Sequence, residues 1–211
     1  MASGGGSNLE ALLEACAHGD VCADIVGVVC NRSQAFALER ARRRGISAEC
    51  LSLGAVRASG GTREDYDERL ADMVARHRPD LVVLAGFMHV LSRRFLERFP
   101  TDFVVNLHPS LLPDDPEEDE VQIDGRRYRA FRGADALEQA LAAGASVTGT
   151  TVHLVTPEVD RGRVVARTTV EVHADDTLER LRERVQMAEH GLLPRAVEAV
   201  LRERGFDTGS R

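Results

Sequence analysis

The feature that most constrains this chain is an unbroken apolar run, Leu81-Val82-Val83-Leu84-Ala85, entered directly from Asp80. A strand with one solvated face alternates apolar and polar residues, whereas a continuous run suits a strand covered on both faces in the middle of a sheet. Helices must then flank it, and the surrounding sequence supplies them. Strand-like stretches at residues 25–30, 48–51, 103–107, 149–155 and 164–172 alternate with helical stretches. Ser7 and Asn8 cap a helix carrying Leu9, Leu12, Leu13 and Cys16, with Gly19 after its end. Further helices are expected over 34–44, from a Thr62/Asp65 capping box through Tyr66, Leu70, Met73 and Val74 to near His77, and over 92–99, 134–143 and 176–204. Residues 52–61 read as loop, and a long loop follows residue 107 up to Ala130. The alternation predicts an α/β fold with a doubly wound, mostly parallel sheet.

At 211 residues and 43% hydrophobic, the chain has enough apolar material for one sizeable core, and residues 1–211 read as a single domain. A net charge of −7 argues against nucleic acid or a membrane surface as a general partner. All 27 basic residues are Arg, which removes lysine Schiff-base chemistry and a P-loop lysine. Cys16, Cys22, Cys30 and Cys50 form no Cys-x-x-Cys pair, so they read as buried thiols in a reducing compartment, not as zinc ligands or a disulfide framework. No apolar run approaches the ~18 residues needed to cross a bilayer, and the start lacks a signal-peptide pattern, so a cytoplasmic location is expected. The sequence carries no signature of oligomeric state.

Three segments carry chemistry. Gly4-Gly5-Gly6-Ser7-Asn8 opens a helix whose unpaired N–H groups suit a phosphate; the same composition also reads as a flexible linker. A nicotinamide-binding loop is the weaker rival, because the third glycine of that fingerprint is missing. Asn106 and His108, two apart at a strand end, leave the same side of the chain, and Pro109 to Pro113 breaks regular structure just beyond them. That position is the carboxyl edge of a sheet, where open α/β folds bind ligands. Asp160 follows the strand-like segment from Thr148 through a Pro-containing turn; alone it is equally a turn former, and His153 within that strand reads as structural.

Together with Thr62-Arg63-Glu64, Leu84-Ala85-Gly86-Phe87-Met88 and Gln186 through His190, these segments resemble the folate-dependent formyltransferases nearly end to end. Asn106-Leu107-His108-Pro109-Ser110-Leu111-Leu112-Pro113 with a distant Asp is their shared pattern, and the Gly-Ser-Asn loop favours members acting on glycinamide ribonucleotide. The resemblance implies a Rossmann-like fold and formyl transfer from 10-formyltetrahydrofolate in purine biosynthesis, with no metal and no NAD. It assigns catalysis to Asn106, His108 and Asp160, with His108 protonated and its pKa raised by Asp160. It assigns the ribonucleotide to Gly6, Ser7, Asn8, Gln186 and Glu189. The folate falls to Arg63, Met88, His89, Val90, Leu91, Asn106, Thr156, Pro157, Glu158, Val159 and Asp160. Deformylation, transfer to another amine, and a non-catalytic nucleotide-binding relative are the alternatives.

The chain departs from that pattern in several places. Only Met1-Ala2-Ser3 precedes the glycine loop where the family has a full apolar strand, so the central strand is expected to be truncated and the true start to lie upstream. An acidic insertion spans about 114–130, with a hairpin signal at Ile123-Asp124-Gly125-Arg126. Its charge is expected to oppose a bound phosphate within the ~8 Å Debye length unless it points away or Arg126, Arg127 and Arg129 offset it. Asp135 replaces a frequent histidine and Arg163 a usual proline, which bears on the acceptor's identity.

Overall fold

The computed structural model describes residues 1–206, in which seven helices and eight strands alternate. In chain order they are α1 (Ser7–His18), β1 (Val28–Cys30), α2 (Phe36–Arg43), β2 (Ala48–Cys50), α3 (Leu53–Ala58) and α4 (Arg63–Ala75). Then follow β3 (Val82–Leu84), α5 (Arg93–Leu96), β4 (Val104–His108), β5 (Glu120–Ile123) and β6 (Arg126–Arg129). The last are α6 (Ala136–Ala142), β7 (Val147–Leu154), β8 (Val164–Glu171) and α7 (Leu178–Glu203). The apolar run is indeed interior. Val82 and Leu84 face a layer holding Val56, Tyr66, Leu70, Val74 and Phe95. Val83 faces the opposite layer, where Leu12, Val105, Leu193, Val197 and Leu201 meet. Period-two alternation thus sends successive side chains of one strand into two separate cores.

The sheet is mixed. β1 pairs β2 and β3 pairs β4 in parallel, but β4–β7 and β7–β8 are antiparallel, giving the order β3-β4-β7-β8. Residues 155–163 join β7 to β8, too few for the helical crossover that parallel neighbours require. One expected loop is partly helical: Ser52 caps α3, its side chain accepting from the Ala55 N–H. The Thr62/Asp65 capping box starts α4 as expected.

Residues 1–3 join the two sheets. Ala2 N–H donates to the Val29 carbonyl (3.1 Å) and Ser3 N–H to Gly86 (3.0 Å), while the Met1 carbonyl accepts from Ala85 N–H (2.9 Å). Ala2 is paired in parallel with Cys30, so this segment is a short central strand. Beside it lies a cavity of about 530 Å³, walled by residues such as Ile25, Val29, Leu81, Val83 and Val197.

The insertion forms the hairpin β5–β6, turned at Asp124 and Gly125, both with positive φ (50° and 75°). Val121, Ile123, Tyr128 and Ala130 pack against Leu111 and Val147. Three of its acids are paired: Asp114 with Arg167 (2.6 Å), Asp119 with Arg132 and Arg161, and Glu120 with Arg127 (3.3 Å). Arg127 thus offsets one acid of the run as expected, Arg132, Arg161 and Arg167 offset the others that are paired, and Arg129 stacks on Phe131.

The cavity continues the line of residues 1–3, so an extended apolar segment fused ahead of Met1 is expected to add strand pairing there. At about 1.5–3 kcal/mol per buried aliphatic side chain and about 2–4 °C per kcal/mol for a chain of this size, Tm should rise by at least about 5 °C in calorimetry. A Gly-Ser segment of equal length should leave it unchanged.

Candidate active site

The site lies where β3 and β4 end. Asn106 and His108 leave β4 on the same side, and antiparallel pairing sets His153 of β7 directly opposite Asn106. The Asn106 amide nitrogen is 3.2 Å from His153 Nε2. His153 Nδ1 donates to the Leu154 carbonyl (2.7 Å), Nε2 faces both the Asn106 amide and Asp160, and that amide has a second N–H. His153, which reads as structural in the sequence, is buried between Asn106 and Asp160. Its register against Asn106 is a property of strand pairing, and no local signal marks it.

Asp160 occupies the turn between β7 and β8. Its oxygens lie 3.5 Å from His108 Nδ1 and 3.5 Å from His153 Nε2. The backbone at Asp160 is left-handed (φ 54°), and a Cβ at Gly162 would fall 1.8 Å from the Leu154 carbonyl oxygen, so only glycine lets the turn close. Gly133 N–H donates to Asp160 Oδ2 (2.8 Å), and His108 Nε2–H donates to the Phe131 carbonyl (2.7 Å). Thr150 Oγ1 donates to the His108 carbonyl (3.1 Å) and Thr151 Oγ1 to that of Ser110 (2.7 Å), pinning the Pro109–Pro113 loop.

Burial sets the charges. It would push the Asp160 carboxyl up, but the contact with His153, the charge of His108 and the Gly133 N–H together outweigh it and hold the group at about 2. His108 moves the opposite way from the expectation: burial lowers its pKa, and Asp160 and the Phe131 carbonyl offset this only in part. The lowered pKa is a correction to the expected raised one.

A cleft of about 600 Å³ spreads from this group. Of the residues singled out in the sequence, Asn8, Gln186 and Glu189 line one end, and Met88 to Leu91, Thr156, Glu158, Val159 and Asp160 the other. Gly6, Ser7, Arg63 and Pro157 are not among its walls. Gly6 turns into α1 at φ 72°, where a Cβ would meet that of Ala37 at 2.8 Å. Ser7 Oγ accepts from Gln186 (2.7 Å), and Arg63 holds Asp67 (3.0 Å) and the Val90 carbonyl behind the cleft. Asn8 Nδ2 donates to Glu189 (2.8 Å), while Asn8 Oδ1 is buried without a partner. Burial raises the Glu189 pKa, with the Asn8 hydrogen bond opposing it. Met88, Val90 and Val159 are half-exposed apolar residues at the opposite end. No group of three His, Cys, Asp or Glu that could hold a metal occurs among the described residues.

The formyl transferase family profile matches residues 1–197. The chain belongs to that family. The Escherichia coli phosphoribosylglycinamide formyltransferase is 37% identical over 92% of this chain and 82% of that protein. The Bos taurus trifunctional purine biosynthetic protein adenosine-3 is 34% identical over 95% of this chain, which spans only 18% of that longer protein. The structure of glycinamide ribonucleotide transformylase 1 from Symbiobacterium toebii superposes with a TM-score of 0.84 at 36% identity, covering 96% of this chain and 86% of that one. The formyl transferase family implies a folate-derived formyl donor.

A carboxyl held at about 2 in the fold, against an ordinary 3.8, adds stability that is present above pH 4 and lost as pH falls through about 2. For Asp160→Asn, the difference from wild type in urea unfolding free energy is expected to shrink by about 2 kcal/mol from about pH 5 downward. A difference independent of pH would refute this.

Proposed function

We propose that the chain transfers the formyl group of 10-formyltetrahydrofolate to the amine of glycinamide ribonucleotide, a step of de novo purine biosynthesis. The convergence of Asn106, His108 and Asp160 on one cleft carries the reading. The first-turn N–H groups of α1, at Gly6, Ser7 and Asn8, take the phosphate; α1 has no side-chain cap to occupy them. Glu10, the acid in that turn, is neutralised by Arg40 and Arg44. The unpartnered Asn8 Oδ1, with Glu189 and Gln186, accepts and orients the ribose hydroxyls. The apolar Met88 and Val90 with His89, Leu91 and residues 156–160 hold the folate, and Arg63 fixes their loop through Val90.

The amine attacks the formyl carbon, forming a C–N bond while negative charge grows on oxygen. The second Asn106 N–H meets that charge. His108, neutral with Nε2–H fixed on Phe131, presents Nδ1 as the acceptor for the amine proton. Asp160 stabilises the resulting imidazolium, which returns the proton to the folate N10 as the C–N10 bond breaks. The 3.5 Å separations lengthen the resting contacts beyond hydrogen bonds, as is usual before substrate closes a site. The reaction uses no metal and no nicotinamide.

The reading also takes residues 1–211 as one functional unit, with 114–130 as an insertion, acting on small molecules in the cytoplasm. No helix among the described residues is long and apolar enough to cross a membrane, and Cys16, Cys22, Cys30 and Cys50 form no disulfide.

Purified protein given 10-formyltetrahydrofolate should release tetrahydrofolate only when glycinamide ribonucleotide is present. Release without acceptor would indicate hydrolysis, and no release with acceptor would reject the proposal. His108→Ala should lower kcat by about 10²–10⁴-fold with the fold intact by circular dichroism. Because a neutral imidazole is required and burial lowers its pKa, the acid limb of kcat against pH should have its midpoint below the ordinary histidine value of about 6.5. Activity that instead falls as pH rises through that value would assign the protonated ring to the resting enzyme.

A further inference from the structure

Three consecutive residues at the exit of the inserted hairpin touch both members of the acid–base pair. Phe131 accepts from His108, Gly133 donates to Asp160 Oδ2, and between them Arg132 sends its side chain to the Asp160 backbone, Nε–H to the carbonyl oxygen at 3.2 Å. The same guanidinium donates Nη2–H to the Glu118 carbonyl (2.7 Å) and Nη1–H to the Asp119 carboxylate. Its side chain is 16% exposed and lines no part of the cleft. From the opposite direction Arg161, the neighbour of Asp160, donates to the Pro116 carbonyl and lies 3.7 Å from Asp119. Two arginines therefore rivet residues 116–119 of the insertion to the turn that carries the catalytic carboxylate.

That turn needs holding. Asp160 sits in a left-handed conformation that a side-chain-bearing residue keeps only when its surroundings impose it. The carboxylate must face two imidazoles, and it stands at the tip of a loop between antiparallel strands, not on a strand. A planar fork with donors on three sides can fix a carbonyl on one segment and a carbonyl and carboxylate on another at once, which an ammonium cannot do. We propose that Arg132 is a positioning residue for formyl transfer, locking the inserted acidic segment 116–119 onto the Asp160 turn so that the carboxylate stays seated against His108. The insertion is thus part of the catalytic scaffold of this chain. The proposal rests on the formyl-transfer reading above.

Arg132→Ala should lower kcat by about 10²-fold, the loss that a misplacement near 1 Å produces, with KM for both substrates within about threefold because Arg132 touches neither. Arg132→Lys should recover less than about a tenth of that loss, whereas millimolar guanidinium added to Arg132→Ala should restore at least about tenfold by re-entering the partly open site. Asp119→Asn alone should cost about threefold in kcat and nothing further once Arg132 is Ala, the non-additivity of two residues acting through one contact. Independently of turnover, amide exchange at Gly133 should accelerate at least about tenfold in Arg132→Ala, because its carboxylate acceptor drifts. Failure of wild type to transfer formyl groups would sink the functional reading alone; Gly133 exchange and the Asp119 coupling, read in thermal stability, would still judge the buttress. Unchanged kcat and unchanged Gly133 exchange in Arg132→Ala, or a kcat loss that guanidinium leaves untouched and that tracks the unfolded fraction, would overturn the proposal.

Discussion

The pairing of β4 with two unlike neighbours is the constraint from which the rest of the structure follows. On one side β3 runs parallel to it and on the other β7 runs antiparallel. The parallel side ends both strands at the same edge, which opens the cleft there. The antiparallel side sets His153 against Asn106 and returns the chain past that edge, so that the turn after β7 delivers Asp160 to His108. A slip of one residue in the β4–β7 ladder would turn His153 into the opposite core and leave Asn106 without a partner.

The buried polar group that results is governed by opposing terms of similar size. Burial disfavours every charge in it, yet Asp160 stays ionised because an N–H and two imidazoles face its oxygens, whereas His108 yields to burial because only one carboxylate supports it. This asymmetry gives the pair a direction. An anion is permanently in place and its neighbour is poised to gain a proton, so positive charge is most favoured on His108 when a reaction generates it.

The segment 114–130 stays outside the walls of the cleft. Its apolar side chains extend the core under Leu111, and Asp114 and Asp119 pair with Arg167, Arg132 and Arg161, so the segment is attached by both packing and charge. Arg163 similarly ties the β8 entrance to Glu203 of α7 (2.8 Å).

Much was legible in the residue order. The apolar run at 81–85 announced an interior strand, Thr62 and Asp65 announced a helix start, and Asp124-Gly125 announced a hairpin, because each signal lies within one element. Asn106 and His108 were legible as a pair for the same reason, being two apart on one strand. The α3 turn was missed because its six residues carry a single buried side chain, Val56, too few for periodicity to register. His153, Phe131, Arg132 and Gly133 were missed as site residues because what they contribute, a register partner, a carbonyl, a guanidinium clamp and an N–H, has no residue-type signature.

By itself, the sequence determined the α/β alternation, the pairing of Asn106 and His108 on one strand and the family to which the chain belongs, since periodicity and short motifs are local. Only the tertiary structure decided that the sheet is mixed, that burial lowers the His108 pKa and that Arg132 bonds to the Asp160 carbonyl. Those outcomes depend on burial and on contacts between residues distant along the chain, and neither quantity exists until the chain has closed on itself.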